Sequence, residues 1–204
     1  MARVDDYINA KKIAAGELGK EPCDEIGRRS GFGLMDINTL RIPFLDRVYI
    51  VRWPGFEFID KFSEEKEVPV QEQVLIMHYL MAKPSVNSAG KWVSFREIPG
   101  ASFYFSAFVK RAVDPLKKSF GKEVSGFVKA ASRLNGKVID AGDAGFEFSV
   151  FPRVSLQLII WKGDEEFSPE ANILFSDTIG DILSPEDVAW LSGMLVYRLM
   201  GLAR

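Results

Sequence analysis

Cysteine and histidine are almost missing from this 204-residue chain: Cys23 and His78 are the only ones. One cysteine excludes an intramolecular disulfide, which suits a reducing compartment. The same scarcity excludes zinc-finger sites, four-cysteine iron–sulfur sites and Cys/His metal clusters within one chain. Any Ser–His–Asp triad would have to use His78. Long apolar runs are missing too. The longest, Val74–Leu80 and Leu156–Trp161, fall far short of the ~20 residues of a transmembrane helix, so no membrane association is expected. The segment around Asp5, Asp6, Lys11 and Lys12 has no apolar core, so no secretory signal is read there. Charge of one sign is also scarce. Lys plus Arg is 26 and Asp plus Glu is 28, giving −2, and the isoelectric point is near 5.6. A nucleic-acid binder would carry a basic face, so no nucleic-acid partner is expected. These absences together imply a cytoplasmic protein.

Apolar residues are plentiful: 47% of the chain is hydrophobic and 12% aromatic, enough to exclude global disorder. The length suits one large domain or two small ones, and a single α+β domain over 1–204 is expected. Residues 5–18 read as a first helix, ended by Gly19 and Pro22. Residues 20–36, rich in glycine and charge, read as a connector. Residues 39–60 read as a β-meander, with Trp53-Pro54-Gly55-Phe56 forming a type II turn. Helices follow over 69–83, 101–112 and 115–135, with a kink or new start at Asp114-Pro115 and a long connection over 84–100. Strict alternation makes 146–161 a hairpin, with Pro152-Arg153 as its turn or bulge, and 171–175 adds a short strand. Ser184, Pro185 and Asp187 start a last helix over 185–202. Helices and strands come in separate runs. That predicts an α+β fold in which an antiparallel sheet of about five strands, meander plus hairpin, packs with four to five helices.

Several groups of residues are candidates for chemistry. Asp164-Glu165-Glu166 is the densest acidic run. Hard cations want several oxygens from one compact loop, and paired carboxylates do acid–base work when one is buried. The spacing matches no EF-hand, and runs like this most often sit on the surface, so no metal site is assigned. Arg153, in an apolar strand region, either grips a carboxylate or phosphate bidentately or lies exposed at a turn. Trp92, Phe95 and Arg96 lie in the long connection, a common place for binding loops. A ligand is therefore expected between that connection and the 161–167 turn, with Trp92, Arg96, Arg153, Trp161, Asp164, Glu165 and Glu166 as its contacts. His78 reads as a hydrogen-bonded core residue and Cys23 as an inert thiol. The Gly27–Gly33 stretch has a phosphate-loop flavour but lacks the Lys-Ser/Thr ending.

In order along the chain stand Val74–Leu80, Trp92–Gly100, Phe151-Pro152-Arg153, Trp161–Phe167, Ile173-Leu174-Phe175 and Leu183–Asp187. These blocks resemble an uncharacterised domain-of-unknown-function family of anaerobic bacteria and archaea. The resemblance covers most of 40–203, and Trp161–Phe167 is its most specific part. Some members of that family carry a fused four-cysteine iron–sulfur domain of the kind seen in corrinoid-protein systems. The resemblance thus implies an accessory role in anaerobic cofactor or one-carbon metabolism, although this chain has no such cysteines. The expected function is a binding or accessory module with a small-molecule ligand or a protein partner, its cofactor unassigned. The alternatives are an enzyme with a carboxylate-centred site, metal-assisted or not, and a structural or oligomerisation domain.

Overall fold

A computed structural model of the chain describes residues 4–83 and 90–204. The chain divides into two units, Met1–Ser85 and Val86–Arg204.

In the first unit, helix α1 (Val4–Leu18) buries Ala14 and Leu18 and packs on helix α3 (Val70–Met81). Between them, the segment 20–36 is not the connector expected from its glycines and charges. It folds into helix α2 (Cys23–Ser30) and strand β1 (Gly33–Asp36). The physical cause lies in the pattern of small and apolar residues. Cys23, Ile26, Gly27 and Ser30 recur at i, i+3, i+4 and i+7 and are the buried face of α2. Asp24 and Glu25 stand at its positive end and Arg28 and Arg29 at its negative end. Gly31 then takes φ 81° and its N–H bonds the Gly27 carbonyl at 2.9 Å. Arg29 pairs with Glu21 and also donates to the Leu80 carbonyl at 3.1 Å, tying α2 to α3.

Strands β1, β2 (Thr39–Phe44), β3 (Arg47–Arg52) and β4 (Glu57–Asp60) form a four-stranded antiparallel meander. Leu40, Ile42 and Phe44 alternate into its core. The Trp53–Phe56 turn is not the expected type II. The Trp53–Pro54 bond is cis, and the positive φ falls on Phe56 (51°) rather than on Gly55. Burial accompanies this geometry: the Trp53 and Phe56 rings meet edge to face at 4.5 Å, and Phe56 is only 1% exposed. On α3, His78 is half-buried.

The second unit opens with β5 (Trp92–Ser94), followed by 3-10 turns over Phe95–Glu97 and Ala101–Tyr104 and by α4 (Phe105–Phe108). The kink expected at Asp114-Pro115 is a π-helical turn, Val109–Val113, leading into α5 (Asp114–Phe120). Pro115 has no N–H, and its ring crowds the carbonyl four residues back, so the preceding turn widens. The helix expected over 115–135 breaks after Phe120 and resumes as α6 (Ser125–Arg133). At Gly121 a Cβ would meet Pro169 and the Lys117 carbonyl at 2.5 Å, so only glycine fits that turn.

Strands β6 (Lys137–Val138), β7 (Ala144–Phe151), β8 (Val154–Trp161) and β9 (Glu170–Ser176) join β5 in a second antiparallel sheet of order β5-β9-β8-β7-β6. Its apolar face is Phe146, Phe148, Leu156, Leu158, Ile160, Ile173 and Phe175. Helices α5 and α6 pack on it, and α8 (Pro185–Leu202) packs on them; the short α7 (Ile179–Ile182) precedes α8. The α+β class therefore holds. The meander and the hairpin, expected in one sheet, lie in two separate sheets. No helix among the described residues is long and apolar enough to cross a membrane.

Candidate functional site

The face of the second sheet opposite its core is polar, and the register explains how. Trp92 pairs with Ser176 on β9, and Ser149 on β7 pairs with Ser155 on β8. Leu156 pairs with Phe175, so one step further Ser155 comes beside Ser176. Because side chains alternate along a strand, Ser149, Ser155, Ser176 and Trp92 form one row across four strands. The hydroxyls of Ser149 and Ser155 lie 3.3 Å apart. Two residues further along β7, Glu147 stands on the same face. It pairs with Gln157 on β8 and with Lys137 on β6.

A groove of about 280 Å³ lies at this end of the sheet. Ser155, Ser176 and Thr178 line it, flanked by Trp92 and Lys91 on one side, Glu147 on the other, and Pro152-Arg153 from the β7–β8 turn. Arg153 is exposed and forms no ion pair among the described residues. The Ser176 hydroxyl is shut off from solvent and has no hydrogen-bond partner among the described residues. The groove thus combines an aromatic ring, two cations, a carboxylate and three hydroxyls. That set can bind a polar ligand through stacking and charge-assisted hydrogen bonds.

Of the seven residues expected at a site, Trp92 and Arg153 meet here, and the other five do not. Arg96 lies in the 3-10 turn after β5, its guanidinium 3.8 Å from the centre of the Phe105 ring. Trp161 ends β8 opposite Glu170, the far end from Arg153. Strands rise ~3.3 Å per residue, so the strand from Val154, next to Arg153, to Trp161 spans about 23 Å. Trp92, paired with Ser176, and the 161–167 turn, next to Glu170, likewise stand at opposite ends of β9. One ligand between them, as expected from sequence, is not a geometry this sheet offers. The cause is antiparallel topology: the β8–β9 turn and the β7–β8 turn lie at opposite ends of the strands.

Asp164, Glu165 and Glu166 line a separate open cavity of about 630 Å³ with Lys122, Lys162 and Phe167. Asp164 is occupied as a turn-former. Its carboxylate accepts from the backbone N–H groups of Phe167 (2.7 Å) and Glu166 (2.8 Å). The Phe167 bond first, then that of Glu166, holds its carboxyl below the usual aspartate range. Among the described residues, no group of three or more His, Cys, Asp and Glu side chains is arranged to hold a metal ion.

Glu147, Ser155, Ser176, Thr178 and Lys91 were not singled out from sequence. The alternation of 146–161 marks Glu147 and Ser155 as facing away from the core, but only strand order brings them to Trp92. A family described as "Domain of unknown function (DUF3786)" matches residues 23–198. Neither the curated proteins nor the solved structures contain a significant match to the chain.

Proposed function

The chain belongs to the DUF3786 family, and from that premise we propose that it is a non-catalytic binding module whose ligand seat is the Trp92–Arg153 groove. One observation carries this reading: two residues singled out for their binding chemistry, 61 positions apart (153 − 92), line one groove, and Arg153 there has no ionic partner among the described residues. The residues beside them bind rather than react. The groove holds no histidine or cysteine, and its one carboxylate, Glu147, has no second carboxylate beside it in the lining. The carboxylate-centred alternative draws less support, because Asp164 serves its own turn and Glu165 and Glu166 are exposed.

The resemblance to proteins of anaerobic bacteria and archaea, some with a fused four-cysteine iron–sulfur domain, supports a cytoplasmic accessory role in anaerobic cofactor handling. The iron–sulfur part then belongs to a partner chain. The family match runs across both units of the fold, which supports treating 1–204 as one functional domain. The test is native mass spectrometry of the full chain produced anaerobically, compared with its denatured mass. A defined extra mass is expected in the wild type and is lost in a folded Trp92→Ala variant. A bare wild-type mass, or an extra mass that Trp92→Ala retains, overturns the groove as the seat.

A further inference from the structure

We infer that the groove takes a small hydroxylated oxoanion, its anionic group on Arg153 and Lys91 and its hydroxyls among Glu147, Ser155 and Ser176. This rests on the groove being the ligand seat and names what sits there. Arg153 presents a planar donor fork that no carboxylate among the described residues receives, and Lys91 lines the same groove as a second cation. Two cations against one carboxylate favour an anion and disfavour an amine. A bare anion, however, makes no use of Glu147, which lines the same groove. A carboxylate is acceptor-only, so the ligand group that meets Glu147 is a donor, and a hydroxyl is one.

The Ser176 hydroxyl is the orphan of the row. Its neighbour Ser155 lies 3.3 Å from Ser149, whereas Ser176 has no partner among the described residues. A serine hydroxyl turns readily about one bond, and a ligand hydroxyl in the groove completes it. Trp92 closes one wall with a flat apolar surface against which the carbon skeleton packs. Neither an apolar ligand nor a lone ion uses all of these groups.

Phosphates and carboxylates share this chemistry, and calorimetry on the full chain separates them with four probes: glycerol 3-phosphate, glycerate, inorganic phosphate and glycerol. Glycerol 3-phosphate or glycerate is expected to bind, the tighter of the two naming the anionic group. Inorganic phosphate is expected to bind more weakly than glycerol 3-phosphate, and glycerol not measurably. Arg153→Ala should weaken the tighter probe at least about tenfold, with Arg153→Lys recovering part of the loss. Amide NMR shifts of the wild type should localise that probe at Ser155 and Ser176, which keeps the test valid if a variant misfolds. Glycerol binding as well as the anions, or shifts clustered away from Ser155 and Ser176, overturns the inference. If every probe fails while native spectra still show a Trp92-dependent mass, the groove stands as a seat and the oxoanion assignment falls.

Discussion

At the scale of single residues, environment decides what each reactive side chain can do. Cys23 is 3% exposed on α2. Burial, then the negative charges of Asp36 and Asp24, push its thiol up from 9.0 to about 11. The thiolate is the reactive form, so this shift lowers the reactive fraction at neutral pH roughly a hundredfold. Iodoacetamide at pH 7.5 should therefore label Cys23 at least that much more slowly in the native chain than in denaturant. Equal rates would show that the thiol is neither buried nor shifted. This agrees with reading a lone cysteine without neighbouring motif as inert. Residue type alone also marked Trp92 and Arg153 as binding candidates. It marked Trp161 and the 164–166 acids just as strongly, because type carries no information on which end of a strand a side chain occupies.

At the scale of elements, legibility follows how local the determining interactions are. The last helix reads off directly, since its start is set within four residues. The Ser184 hydroxyl accepts from the Asp187 N–H at 3.2 Å and donates to the Asp187 carboxylate at 2.7 Å, with Pro185 in the first turn. Ser184→Ala should cost about 1 kcal/mol, measured as a shift of the urea midpoint at constant m-value. No shift would mean that packing of Val188, Leu191, Leu195 and Leu199 alone defines the helix start. The hairpin is equally local, and its bulge falls between Ser149 and Phe151, close to where Pro152 announces it. By contrast, α2 hides behind a composition that suggests a connector, although its buried i, i+3, i+4, i+7 face is there in the letters. Strands β5 and β6 have three and two residues and owe their existence to partners distant in sequence, Leu174–Ser176 and Phe146–Glu147. Such short runs carry too little periodicity to read.

At the scale of the whole molecule, the separation of two sheets is the feature least visible in the chain. Both halves have the same α+β composition, and the helix expected over 69–83 ends without announcing a new unit. What the sequence does set for the molecule entire is its response to pH. Net charge is only −2, so general self-repulsion is weak near neutrality, and a few specific groups control the limits of stability. Glu21 is held below its usual value chiefly by the Arg29 side chain. Glu97, Glu123 and Asp164 are held low chiefly by the backbone N–H groups of Ser94, Ser125 and Phe167 respectively. Each carboxylate is a stronger acid folded than unfolded. Its contribution is therefore complete above the ordinary values of 4.5 for Glu and 3.8 for Asp and is lost as pH falls through the lower folded values. Cys23 has the opposite sign: its share is complete below 9.0 and is lost as pH rises toward about 11. Melting temperature against pH should thus fall on both flanks. Combining Glu21→Gln, Glu97→Gln, Glu123→Gln and Asp164→Asn should flatten the acid flank and leave the alkaline one, whereas Cys23→Ala should ease only the alkaline flank. An acid flank of unchanged slope in the fourfold variant would show that other carboxylates govern acid unfolding. The three backbone-bonded acids are exposed, so the ion pair at Glu21, the one most shielded by its neighbours, should account for the largest single part of the change.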